Sequence, residues 1–70
     1  MSQPFKPQGY AFHSKQAQEH DEDGRWINAA EAWKRAASAA RTQANWFMAN
    51  QRRDYCLRRL AQAKQQQEQS

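Results

Sequence analysis

From Gly24 to Ala37 the chain reads as a turn followed by an alanine-rich helix with two tryptophans seven residues apart. This stretch constrains the fold more than any other. At about 100° per residue, Trp26, Ala29, Trp33, Ala36, Ala37 and Ala40 share one helix face. Large and small side chains alternate along that stripe. Tryptophan supplies area, and alanine lets a neighbouring helix approach closely enough to cover it. A helix of this kind cannot bury its stripe alone, so the remaining segments are read as what packs against it or what is left for a partner.

Seventy residues allow one small domain, and a domain of that size buries only about 60% of its unfolded surface. Small proteins commonly add a disulfide, a metal or an oligomer contact. Cys56 is the single cysteine, so no disulfide forms within the chain. His13 and His20 have no zinc-like spacing to Cys56, and no metal or other cofactor is expected. Oligomerisation or binding to another protein is the remaining route. One cysteine, with no apolar run suited to a signal peptide or membrane span, points to a cytoplasmic protein with no membrane partner.

Charge is unevenly placed. Residues 1–24 hold two lysines against four carboxylates, net −2; residues 25–70 hold nine basic side chains against three acidic ones, net +6. An acidic partner surface, nucleic acid included, would favour the second part.

The pattern predicts an all-α, three-helix domain over residues 10–62, preceded by a flexible arm (1–9) and followed by a polar, Gln-rich tail (63–70). Both prolines lie in the arm. A first helix is expected over Tyr10–Asp21, with a weak stripe of Tyr10, Ser14, Ala17 and Asp21. Acidic residues crowd its C-terminal end against the helix dipole, and Gly24 suits a left-handed C′ position after it. The central helix is expected over Trp26–Arg41. Its outer side carries Asn28, Glu31, Arg35 and Ser38, with Glu31 and Arg35 spaced for an i,i+4 pair. A long third helix is expected over Ala44–Lys64, capped by Asn45 or starting slightly earlier. Its main face reads Trp46, Ala49, Arg53, Cys56, Leu57 and Leu60. The expected scaffold is Trp26, Ala29, Trp33, Ala36, Trp46, Cys56 and Leu60. The first two helices form a hairpin, and the third packs across it.

No catalytic constellation is visible: there is no Gly-rich phosphate loop, no paired carboxylate on an apolar face and no Ser/His/Asp set. The chain does not read as an enzyme. His13 and His20 share a helix face, where exposed histidines are the ordinary case. Cys56 lies on a core stripe and reads as an inert buried thiol. Arg52, Arg53, Arg58 and Arg59 form the main charge signal, suited to phosphates or to an acidic protein surface, or simply to a solvated helix. Phe47, Met48 and Tyr55 lie roughly opposite the Trp46–Cys56 line. Aromatic and Met side chains beside arginine are typical of interface cores. The expected partner-binding set is therefore Phe47, Met48, Arg52, Tyr55 and Arg59.

The string Gly24-x-Trp26-x-x-Ala29-x-x-x-Trp33-x-x-Ala36 resembles the turn and second helix of a tetratricopeptide repeat (TPR), which implies an α-hairpin. A wider pattern adds Glu19 before it and Asn45-Trp46, Ala49, Arg52 or Arg53, and Tyr55-Cys56 after it. From about Ala17 to Cys56 this resembles the ANR family, small bacterial negative regulators of AraC-type transcription factors. The resemblance implies a compact helical repressor that binds an AraC-type virulence or colonisation activator directly, blocking its dimerisation or promoter grip. It also implies self-association as a homodimer or higher oligomer. The PerC-like activators share a related Gly-aromatic-Ala-Ala-Trp core, and Arg52-Arg53-x-x-Cys56 fits their Arg-Arg…Cys stretch. That alternative implies a small regulator contacting DNA through the basic third helix.

Overall fold

A computed structural model describes residues 9–69, with side-chain surroundings through Gln65. Three helices follow in order: α1 (Tyr10–Glu22), α2 (Trp26–Ala39) and α3 (Gln43–Gln69). The expected arm lies outside the described residues except for Gly9. The glutamine run does not break the last helix, because Gln is a good helix former and α3 continues to Gln69.

The α1–α2 turn follows from one glycine. Gly24 has φ 73°, a left-handed conformation that costs other residues strain. With Gly24 there, the Gly24 N–H donates to the Asp21 carbonyl (3.0 Å) and the Arg25 N–H to the His20 carbonyl (2.9 Å). These two bonds make a Schellman closure, satisfying carbonyls that the end of α1 would otherwise leave open.

At the second connection, α2 stops at Ala39, two residues before the expected end, and Ala40 is extended. The reason is the next cap. Thr42, not Asn45, caps α3: its Oγ1 accepts from the Asn45 N–H at 3.1 Å, and its carbonyl accepts from the Trp46 N–H. The residues before Thr42 must therefore leave helical geometry.

The helices lie side by side, with α2 in the middle. It packs along both neighbours, whereas α1 and α3 scarcely meet. The Cα atoms span 55 × 23 × 14 Å. The third helix packs chiefly on α2 and does not lie across both helices of the hairpin. Both sides of α2 are consequently covered. Ala30 and Ala32, about 160° apart around the helix, are buried along with Ala29, Trp33 and Ala36. Asn28, Glu31, Arg35 and Ser38 are exposed as their positions predict. Glu31 and Arg35 do not form the expected pair; the ion pairs among the described residues are Asp21–Arg52, Asp23–Arg25 and Asp54–Arg58.

The core is small-residue packing around one ring. Ala17, Ala29, Ala30, Ala32, Ala36, Ala49 and Cys56 surround Trp33, and Tyr10, Trp26 and Ala37 pack partly against them. Alanines let the helix axes approach, but each contributes little apolar area. Most of the large apolar side chains are left outside.

Candidate functional site

With only α2 covering it along its length, α3 leaves side chains exposed on either side of the line it buries. Its buried line runs through Ala49 and Cys56. At about 100° per residue, Met48, Tyr55 and Arg59 flank that line on one side, and Trp46, Arg53 and Leu57 on the other.

The first side is built on a carboxylate. Asp21 continues the stripe of α1 that buries Ser14 and Ala17, and its side chain is only 8% exposed. A buried carboxylate needs partners, and α3 supplies two. The Arg52 guanidinium donates to Asp21 Oδ2 at 2.5 Å, and Cys56 Sγ lies 3.7 Å from Oδ1 as a weak donor. Arg52 also lies over the Tyr55 ring, 4.6 Å from its centre. Tyr55 meets Trp26 edge to face at 6.1 Å, and Arg59 lies over Trp26 at 5.2 Å. Carboxylate, guanidinium, phenol, indole and guanidinium thus form one continuous chain across all three helices, held by ion pairing and cation–π attraction. Asp21, Trp26, Arg52 and Tyr55, with Gln18 and Glu22, rim a shallow hollow of about 300 Å³.

Cys56 is buried inside this cluster. Burial, then the charge of Asp21, then its hydrogen bond push the thiol up to about 11, and Arg52 partly opposes them. Cys56 is fully buried, as its place on the core stripe predicts, and a raised thiol holds little of the thiolate that a nucleophile needs.

The second side lies over the α2–α3 groove. Ile27, Trp46, Phe47 and Leu57 are exposed there at 56%, 54%, 57% and 41%. Two hollows meet at Arg53 and Leu57: one is bounded by Ile27, Ala30 and Leu60, the other by Trp46, Phe47 and Asp54.

This arrangement revises the expected site. By helical position Met48, Arg52, Tyr55 and Arg59 fall on one side, and Phe47 lies nearly opposite the buried line, bordering the hollow that Trp46 and Leu57 also line. Trp46 is not core: at 54% exposure it sits on the rim of the second side. The line that α3 buries is rotated away from Trp46 and Leu57 towards Ala49, Cys56 and half-buried Leu60, because it meets chiefly α2. Sequence reasoning missed the Asp21–Arg52 tie. Its signal was present, since an acid continuing the buried stripe of α1 calls for a cation from another element.

His13 and His20 are both half-buried, not exposed. His13 meets Phe12 edge to face at 5.3 Å, and its Nδ1 has no partner. Among the described residues no group of three or more His, Cys, Asp or Glu side chains gathers in a way suited to a metal. None of the described helices is long and apolar enough to cross a membrane.

No family model matches the chain, and neither a curated protein nor a solved structure is significantly similar to it.

Proposed function

We propose that the protein is a small cytoplasmic transcriptional regulator that binds an AraC-type activator by direct protein contact and inhibits its dimerisation or DNA binding. The carrying observation is the side formed by Met48, Arg52, Tyr55 and Arg59 around Trp26. Met48 is 55% exposed and Tyr55 37%; Tyr55 stands between two arginines already placed over aromatic rings, and Met48 lies one turn before the first of them. Rigid aromatic and arginine side chains form interface hot spots because little conformational freedom remains to be lost on binding. The resemblance of the Ala17–Cys56 pattern to ANR regulators is what suggests the class of partner. The positive half of the chain adds steering towards an acidic surface on it.

The PerC-like alternative, a basic α3 laid on DNA phosphates, is less well supported. Arg52 is held by Asp21, Arg59 lies over Trp26, and Arg58 lies 3.5 Å from Asp54. Only Arg53 of the four forms no such contact among the described residues.

Co-purification with an AraC-type activator tests the reading. Met48→Ser with Tyr55→Ser should weaken capture by about tenfold or more while helicity is retained. Salt-sensitive submicromolar binding to random duplex DNA, with no activator capture, would support the alternative.

A further inference from the structure

The inward line of α3, through Ala49, Cys56 and Leu60, continues one turn further to Ala63. The helix it faces does not continue with it. α3 has 27 residues and α2 has 14, which is about 40 Å against about 21 Å of helix. Arg59 already lies over Trp26, the first residue of α2, so Leu60 and Ala63 run past the place where α2 starts. A notch of about 480 Å³ is left there. Its floor is apolar: Ile27 is 56% exposed, and Trp26, Leu60 and Ala63 are half-buried. Its rim is of one sign. Arg25 and Lys64 border it, and no carboxylate does. The acids at the end of α1 are placed elsewhere. Asp21 is held by Arg52, and Glu22 borders the smaller hollow that shares Trp26 with this one. Asp23 lies 3.9 Å from Arg25 with the two side chains 59% and 60% exposed. A pair so open to water holds little and gives way to a better partner.

We infer that this notch docks an acidic, amphipathic segment of another protein. A leucine- or phenylalanine-like side chain of that segment sits against Ile27, Leu60 and Ala63, and carboxylates beside it pair with Arg25 and Lys64. The segment lies along α3 in the place that α2 is too short to fill, as helices do in apolar grooves. Charge complementarity selects this occupant. Nucleic-acid phosphates would meet the cations but leave the apolar floor uncovered. A second copy of the chain does not fit either, because its acidic stretch, Glu19–Asp23, carries no large apolar side chain. The inference goes beyond the activator reading and does not rest on it, since Met48 and Tyr55 take no part in the notch.

The probe is a fluorescein-labelled synthetic helix with leucine and phenylalanine on one face and glutamate on the other, titrated with the full chain and followed by anisotropy. Binding should saturate. A peptide with glutamine in place of glutamate should bind about tenfold more weakly or worse, and so should the unmodified peptide to Arg25→Glu with Lys64→Glu. Ile27→Asp should have an effect of the same size. All three positions are exposed, and circular dichroism should show the helices retained. Met48→Ser with Tyr55→Ser should leave peptide affinity within about twofold, so loss of the activator reading and loss of this one are distinguishable. Several results overturn the proposal. One is no saturation with the chain at about 0.5 mM, where a dissociation constant of about 50 µM would leave most of the peptide bound. Another is equal binding of the glutamine peptide, which removes the role of charge. A loss on charge reversal without a loss on Ile27→Asp would mean ion pairing alone, with no docked side chain. Displacement of the peptide by an equal concentration of random duplex DNA would assign the cations to nucleic acid.

Discussion

Arg52 reaches from the middle of α3 to donate to the Asp21 carboxylate in the last turn of α1, crossing the edge of the helix that separates them. Since α1 and α3 otherwise scarcely meet, this pair is the main direct link between the outer helices. It also places a cation where the acidic end of α1 works against its own dipole. Removing the carboxylate with Asp21→Asn should cost about 1–2 kcal/mol, the range of a charge-assisted bond with one partner half-exposed. A denaturant double-mutant cycle with Arg52→Gln should return most of that as coupling. Two additive losses would mean that the pair contributes nothing as a pair.

Trp33 is the one large side chain in the core, 2% exposed. Trp33→Ala should cost about 3–5 kcal/mol and leave a domain this small largely unfolded at 25 °C. The indole Nε1 is buried without a partner, so its N–H subtracts from stability in the native state. Trp33→Phe removes that group along with some volume. It should lie much closer to the unmodified protein than to Trp33→Ala in urea midpoint.

Cys56 gives stability a signature at alkaline pH. Its pKa in the folded protein rises from 9.0 to about 11. Below pH 9 both folded and unfolded chains keep the proton, so the thiol adds no slope. Between about pH 9 and 11 the unfolded chain loses it first, and stability falls as pH rises. Cys56→Ala should remove that part of the slope, checked by chemical denaturation at pH 8 and pH 10. At pH 8 the native thiol should react with a thiol reagent far more slowly than in denaturant.

The two connections have separate local determinants. Gly24→Ala should cost about 1 kcal/mol from the left-handed backbone alone, since an added Cβ meets nothing within 4 Å. Thr42→Ala removes the α3 cap and should cost about 1 kcal/mol. The sites are independent, so the thermal or urea effects of the two changes should add.

How far the chain could be read depended on the range of the interaction. The alanine stripe with Trp33, the glycine turn and the inert thiol were legible because they rest on periodicity and local backbone rules. Trp46 was misplaced because a helical stripe does not state its own rotation. Where several apolar residues compete for burial, the neighbour's position decides which face turns inward.

Sequence by itself therefore determined three helices, their turns and an α2 rich enough in alanine to be flanked closely. Those are consequences of φ preferences, capping and a 3.6-residue period, all acting within a few residues. Only the tertiary structure decided that α2 lies between α1 and α3, that α3 presents Ala49 and Cys56 to α2, and that Asp21 meets Arg52. These outcomes depend on contacts between residues far apart in the chain, 31 positions for Asp21 and Arg52, which no local pattern encodes.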